Sequence, residues 1–397
     1  MNLNVKSTEF LTQIISGIQK VAGGEPVALH EPTFDGNEWK YLQDCLDSTY
    51  VSSIGDYVEK FEEALASYTS AKFAVAVVNG TEALHIALKL ADVLPGDEVL
   101  VPALTFIATA NAVSYCGGIP HFVDCEISTL GIDVEKLRKY LKKIAIRRFG
   151  STRNKNSGQT IKALVPMHTF GHPSNLDALI EIANEFDLVI VEDAAESLGS
   201  TYKNRHTGTF GLLGALSFNG NKVITTGGGG AILTSNEELA KRAKHLTRTA
   251  RISHKWDFMH DEIGFNFRMP NINAALGLAQ LERLNFKLNS KRSLFIKYKE
   301  ALSSISGVRL FEEPKYAKSN YWLQTIILDT NRQDLRDEVL EQTNNLGIMT
   351  RPTWKILNEL APYKNHPSMD LSFAKSISKR IINIPSSSKL AKTENYE

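Results

Sequence analysis

The sequence predicts an α/β protein, with a large domain on a mainly parallel mixed sheet covered by helices and a smaller α+β domain at the C-terminus. Two observations carry that expectation. From about residue 72, short apolar runs rich in valine and isoleucine alternate with amphipathic stretches of helical period, the pattern of buried strands joined by crossover helices. Beyond about residue 280 this alternation stops, and a long helical stretch leads into isolated strand-like runs. The expected division is an N-terminal segment (1–34) packing with the small domain, a large domain (35–280) and a small domain (281–397).

The elements follow in order. Phe10, Leu11, Ile14 and Ile18 share one face of a helix over 7–20. Helical stretches are expected around 37–48 and 59–69, separated by a polar turn at 51–56. KFAVAVV (72–78) reads as a strand, NGT breaks it, and TEALHIALKLA (81–91) reads as a helix. EVLVPA, IPHFVDC, IKALVPM (161–167) and LVIVEDAA (187–194) are further strands, with helices at FIATANAVSYCG and 175–186 between them. GALSFN and AILTS are two short strands on either side of a glycine run. Residues 147–160 are basic and polar and read as an exposed loop. One continuous helix is expected over 271–302, then strands at VRLF and YWLQTIIL, a helix near 332–345 and a late strand at 380–387.

Composition excludes several classes. The 397 residues are 43% hydrophobic and 22% charged, enough for a sizeable core and against wholesale disorder. Lys plus Arg is 45 against 44 for Asp plus Glu, a net charge of +1, so no global field draws in nucleic acid or anionic lipid. Cys45, Cys116 and Cys125 form no CxxC pair and suit a reducing, cytoplasmic setting. The first residues lack the pattern of a signal peptide, and no run reaches the length of a membrane span.

Three stretches carry chemistry. Asn79-Gly80-Thr81-Glu82 sits at a strand-to-helix junction, where uncapped amides bind phosphate, although an ordinary helix cap has the same look. Glu192 and Asp193 follow an apolar strand, with Glu196 three residues on. Open α/β sheets bind ligands at that end, and a helix-capping aspartate is the plainer alternative. Ser217-Phe218-Asn219-Gly220-Asn221-Lys222 precedes four glycines, 227–230, which imply a tightly bent loop or a close backbone approach. A lysine there can form a Schiff base; a solvated surface lysine is the alternative. His168 and His172 lie four apart, but Gly171 and Pro173 argue against a helix between them. No HExxH is present, and no metal is expected. There is no GxSxG, and Trp39, Trp256, Trp322 and Trp354 are scattered and read as structural. A strand-end acid, a downstream lysine near glycines and an upstream phosphate-binding turn together fit pyridoxal 5′-phosphate.

At these residues the chain resembles the DegT/DnrJ/EryC1/StrS family of sugar aminotransferases, which have the aspartate aminotransferase fold (fold type I). The matching stretches are STYVSSIG (48–55), NGTEALHIAL (79–88), PALTFIATANAV (102–113), VEDAAESLGS (191–200), LSFNGNKVITTGGGGAI (216–232) and IGFNFRMPNINAALGLAQL (263–281). VPMHTFGHPSNLDAL and the basic loop before it are similar to enzymes of the bacillosamine and legionaminic acid routes. The resemblance implies that Lys222 is the Schiff-base lysine and that Asp193 pairs with the pyridinium nitrogen. It implies that Gly80, Thr81 and Ser217, with neighbouring Glu82, hold the phosphate end, that Phe106 stacks on the ring, and that Glu196 lies beside the ring oxygen, where relatives have Gln or His. Asn266 reaches the site of a partner subunit, so a homodimer with shared sites is implied. Arg268 and His168 are expected near substrate, and Arg147, Arg148, Arg153 and Lys155 near a nucleotide diphosphate. The implied reaction moves an amino group from L-glutamate, through pyridoxamine 5′-phosphate, to C4 of a nucleotide-linked 4-keto-6-deoxy sugar, with UDP-4-keto-6-deoxy-N-acetylglucosamine favoured. A dehydratase on the same fold has histidine in place of the lysine, and Lys222 speaks against it. The intact Asp193, Lys222 and Thr81 set speaks against a non-catalytic sugar-nucleotide-binding protein.

Overall fold

The computed structural model describes residues 5–23 and 26–391. Helices α1 (Val5–Ala22), α2 (Glu38–Asp47) and α3 (Asp56–Thr69) come first. The alternating region then runs β1 (Phe73–Val77), α4 (Gly80–Leu90), β2 (Glu98–Pro102), α5 (Ile107–Tyr115), β3 (Ile119–Val123) and α6 (Val134–Ile144). A hairpin of β4 (Ala145–Arg148) and β5 (Ser151–Asn154) precedes β6 (Ile161–Leu164), α7 (Leu176–Phe186) and β7 (Val189–Asp193). Short strands β8 (Thr201–Tyr202) and β9 (Arg205–His206) lead to β10 (Leu213–Ser217), β11 (Gly230–Thr234) and α8 (Glu237–Thr247). A small hairpin, β12 (Arg251–Ile252) and β13 (Met259–His260), is followed by α9 (Asn271–Glu282) and α10 (Leu284–Leu302). The remainder is β14 (Val308–Leu310), β15 (Ala317–Lys318), β16 (Gln324–Leu328), α11 (Arg336–Asn345), β17 (Arg351–Pro352), α12 (Ser372–Ser378) and β18 (Ile381–Ile384).

Seven strands form the main sheet in the order β1-β11-β10-β7-β6-β2-β3. β11 runs antiparallel to both its neighbours, while every other adjacent pair is parallel. The strands are buried almost throughout, as a sheet covered on both faces requires. A second sheet, β14-β16-β18-β17, is antiparallel. Its core is separate from the main one. Phe10, Leu11, Ile14 and Ile18 of α1 meet Leu294, Tyr298 and Leu302 of α10, together with Ile326 of β16 and Ile382 of β18.

Two local expectations are corrected. The stretch expected as a loop at 147–160 contains the end of β4, the turn and all of β5, because Phe149 (φ 53°) and Gly150 (φ 75°) form a two-residue turn with both φ positive, the geometry that suits strand twist. Thr152 and Asn154 on one face are buried, and Asn154 Nδ2 donates to both oxygens of Glu98 at 3.1 and 2.9 Å. The long helix expected over 271–302 is broken at Arg283 (φ −97°, ψ 0°). No proline or glycine marks the break. α9 packs on α2 and α3 while α10 packs on α1, so tertiary packing turns the chain there.

Candidate active site

Parallel strands set one edge of the main sheet apart, because their C-terminal ends fan open and the following loops can converge. A cavity of ≈ 280 Å³ lies there. Its walls come from the segments just after five strands: Asn79, Gly80 and Thr81 after β1, Phe106 after β2, Met167 after β6, Asp193 and Glu196 at and after β7, and Ser217 to Lys222 at and after β10. Trp322, Arg351 and Trp354 close it from the second sheet.

Each chemical group has a local reason for its position. Asn79 is extended and caps α4, its Oδ1 accepting from Glu82 N at 2.8 Å. The Gly80 and Thr81 amides, at the first helical positions, find no acceptor within the helix and lie at the cavity wall. A side chain at Gly80 would meet Ser217 Cβ at 2.7 Å, and one at Gly230 would meet Asn79 O at 2.4 Å. The glycine run thus lets β11 lie against the α4 N-terminus. Thr109 Oγ1 donates to Asp193 Oδ2 at 2.7 Å, and the Ala195 amide donates to Oδ1 at 3.2 Å, so this carboxylate is fixed from two sides.

Lys222 lies in a turn whose amide bonds Asn219 O at 3.0 Å. Its Nζ is 3.6 Å from Glu196 Oε1 and 4.1 Å from the centre of the Trp322 ring. Trp322 is itself held, with Nε1 donating to Asn221 O at 2.6 Å. Glu196 Oε2 accepts from the Phe170 amide at 2.9 Å. Burial lowers the proton affinity of Lys222, against the pull of Glu196 and Asp193. Burial, with Asp193 adding to it, pushes Glu196 up to about 7 despite Lys222 and Arg351. Both shifts run toward the uncharged forms, as desolvation dictates. An amine with lowered proton affinity is the form able to attack a carbonyl carbon.

The structure brings Gly80, Thr81, Phe106, Asp193, Glu196, Ser217 and Lys222 to one cavity. It does not bring the other expected residues there. Glu82 turns to His85, 3.3 Å away. His168 is fully buried, with Nε2 donating to Glu192 Oε2 at 3.1 Å and Nδ1 accepting from the Ser174 amide, so it supports the site from behind and cannot touch substrate. Asn266 bridges to Arg248 and is not among the residues lining the cavity, and Arg268 with Arg248 lines an outer groove beside Tyr50 and Ile54. Arg147, Arg148, Arg153 and Lys155 sit at the opposite end of the sheet. Their hairpin docks on Glu98, the first residue of β2, about 13 Å of strand from the end that faces the cavity. There Arg147 pairs with Asp187 at 2.6 Å, Arg148 covers Phe149, Arg153 donates to Gly158 O, and Lys155 donates to Lys143 O. A diphosphate in this chain's own cavity is out of their reach.

Arg351 by itself carries no local signal in the sequence, and Trp322 and Trp354 read as structural, yet all three line the cavity. Residue order hid them, since they join the site only when the second sheet folds back on the first. A trace was visible in Arg351 and Trp354, two residues of cavity-binding type closely spaced around a proline.

A strand-end aspartate, a desolvated lysine and an open helix N-terminus around one cavity, on a sheet of this order, define a pyridoxal 5′-phosphate enzyme of fold type I. The sequence profile of the DegT/DnrJ/EryC1/StrS aminotransferase family matches residues 32–396, and the chain belongs to that family. It is 35% identical to GDP-perosamine synthase of Caulobacter vibrioides, over 93% of this chain and 95% of that one. It is 34% identical to the putative pyridoxal phosphate-dependent aminotransferase EpsN of Bacillus subtilis, over 93% and 92%. The crystal structure of the aminotransferase TlmJ from Streptoalloteichus hindustanus superposes with a TM-score of 0.82 at 26% identity, covering 91% of this chain and 94% of that one. The protein is a pyridoxal phosphate-dependent sugar aminotransferase. Among the described residues, no helix is long and apolar enough to cross a membrane.

Proposed function

We propose that the protein transfers an amino group from L-glutamate to C4 of a nucleotide-linked 4-keto-6-deoxy sugar, with Lys222 as the covalent anchor and proton carrier. The observation that carries this reading is the convergence of Lys222, Asp193 and the α4 N-terminus on one cavity. When bound, pyridoxal 5′-phosphate supplies an electron sink for the carbon that loses its proton. The rest falls to this chain. Gly80 and Thr81 amides and the Ser217 hydroxyl hold the phosphate at a positive helix end. Asp193, fixed by Thr109 and Ala195, keeps the ring nitrogen protonated. Phe106, 52% exposed at the rim, covers a ring face. Lys222 Nζ takes the donor's α-proton and later returns a proton to the sugar carbon.

The sugar we favour is UDP-4-keto-6-deoxy-N-acetylglucosamine. A GDP-linked sugar is the second reading, favoured by the names of relatives such as the GDP-perosamine synthases at 35% and 36% identity. Mass spectrometry of products from UDP-, GDP- and dTDP-linked 4-keto sugars with glutamate decides between them. A panel that yields no amino sugar contradicts the reading. We further propose a homodimer in which Asn266 completes the partner's phosphate site. Exposed Trp256, Phe258 and Ile263 and the groove holding Arg248 and Arg268 support an interface near it. An inactive Lys222 variant mixed with an inactive Asn266 variant then regains activity, up to about a quarter of sites if subunits exchange freely.

A further inference from the structure

The basic hairpin is a motif of the sequence that the active site leaves unused. β4 and β5 sit at the end of the main sheet opposite the cavity, held there by Asn154 on Glu98. Their register pairs Ile146 with Arg153 and Arg148 with Ser151, so these four residues share the face turned away from buried Thr152 and Asn154. Ile146 is 45% exposed on that face, and Phe149, at the turn, is 80% exposed. Phe149 is unfavourable for the hairpin on two counts. Its φ of 53° is left-handed, where a bulky side chain is rare and where turns of this type take Asn, Asp or Gly. Its ring is flanked by the guanidinium groups of Arg148 at 4.8 Å and Arg153 at 5.8 Å, and it stays open to solvent. A residue that adds backbone strain and exposed apolar surface does not serve the hairpin's own stability, which points to a use outside the chain.

The charges beside the ring are not neutralised. Arg147 pairs with Asp187, and Lys142 with Glu185. Among the described residues, Lys143, Arg148, Arg153 and Lys155 have no carboxylate partner. Arg153 and Lys155 donate to the carbonyls of Gly158 and Lys143, which fixes their positions and leaves their charge in place. The chain's net charge of +1 gives no overall attraction for anions, so this concentration of cations is local. An apolar tip with cations at its base matches a plane of phosphates over hydrocarbon. The ring enters the boundary between headgroups and acyl chains, while the guanidinium groups stay at phosphate level and offer paired N–H groups. A nucleic-acid duplex has phosphates but no apolar layer beneath them. An acidic peptide needs a groove to lie in, and the tip of a turn is convex.

We propose that the β4–β5 hairpin docks the protein on an anionic lipid surface, with Phe149 inserted at the headgroup boundary and Lys143, Arg148, Arg153 and Lys155 on the lipid phosphates. The cavity lies at the other end of the strands, so docking leaves it on the side away from the lipid. The inference is independent of which sugar is aminated.

The test is flotation of the full, cofactor-loaded chain with vesicles of phosphatidylcholine, alone or mixed with phosphatidylglycerol, at low and high salt. Binding to the anionic vesicles should be at least about tenfold tighter than to the neutral ones and should fall steeply as salt rises. Lys143→Gln, Arg148→Gln, Arg153→Gln and Lys155→Gln combined should weaken it about 100-fold or more, at about fivefold per cation. Phe149→Asn should weaken it about 3–10-fold. Its Tm should hold or rise, because Asn suits the left-handed turn, so this variant removes the ring without endangering the fold. If the fourfold variant does not fold, Phe149→Asn decides. Equal binding to neutral and anionic vesicles, or binding to neither, overturns the proposal. Wild-type affinity in Phe149→Asn also overturns it. A DNA duplex or polyglutamate that binds more tightly than the anionic vesicles, and loses that binding in the same variants, assigns the surface to another partner and overturns the lipid reading.

Discussion

Glu192 and Asp193 are neighbours on β7, and alternation along the strand sends them to opposite faces. On one face Glu192 is saturated. It accepts from the amides of Gly208, Phe210 and Gly211 at 2.7, 2.5 and 2.7 Å and from His168. Burial alone would raise its proton affinity, but the His168 bond and the amides outweigh that and hold it low. On the other face Asp193 has one hydroxyl and one amide, and the cavity beyond. Glu196, on the cavity side, has one amide and a lysine at 3.6 Å. A buried carboxylate with every lone pair used is a structural fixture. One left with spare capacity beside a cavity can hold a ligand's charge or move a proton.

That contrast breaks in stated ways. Lys222→Ala should lose the cofactor's borohydride-sensitive visible band and about 10³-fold or more of transamination, read by single-turnover absorbance. Asp193→Asn should still bind cofactor but lose about 10²-fold in kcat. Glu192→Gln should do the reverse. Its NH2 group must face two donors, either the Phe210 and Gly211 amides or the Gly208 amide and His168, which should cost about 1–3 kcal/mol of stability by denaturant unfolding, with turnover per folded molecule within about threefold. A catalytic collapse in Glu192→Gln with normal stability would erase the distinction between the faces.

Glu196 sharpens the comparison through pH. Its folded value, about 7, lies above the ordinary 4.5, so the folded cofactor-free protein binds the extra proton. The stabilising contribution is complete below about 4.5 and is lost as pH rises through about 7. Glu196→Gln should flatten that part of the stability profile, measured by thermal melts from pH 5 to 8, by about 1–2 °C or more. The smallest effect is expected at the hairpin. Neutralising Arg147, Arg148, Arg153 and Lys155 together should change KM for the sugar nucleotide less than about twofold, because these cations already have partners at the far end of the sheet.

The faces of β7 also show how much the sequence disclosed. Alternating apolar runs and helices gave the sheet, and strand-end positions gave Asp193, Ser217 and the α4 cap, since a parallel strand must deliver its last residues to one edge. Lys222 was marked by its glycine neighbours. What stayed hidden depends on which way a side chain turns or on distant segments meeting. Glu192 and Asp193 are indistinguishable as a dipeptide. His168 reads as a substrate contact because nothing local shows that its ring points at Glu192. The basic hairpin looked like a phosphate receptor because composition carries no information about which end of a sheet a loop occupies. Arg351 and Trp322 come from beyond residue 320 and reach the cavity through the second sheet.

The most direct test of the central claim is borohydride reduction of the loaded enzyme, followed by proteolysis and mass spectrometry of the labelled peptide. The account predicts a single pyridoxyl group on Lys222, where Nζ faces Glu196 and Trp322 at the cavity wall. Among the described residues Lys287 and Lys291 are the other deeply buried lysines; neither lines the cavity, and each amine is held by backbone carbonyls, of Thr33 for Lys287 and of Trp322 and Ser386 for Lys291. A label on either of them, or on any lysine other than Lys222, would contradict the assignment of the active site.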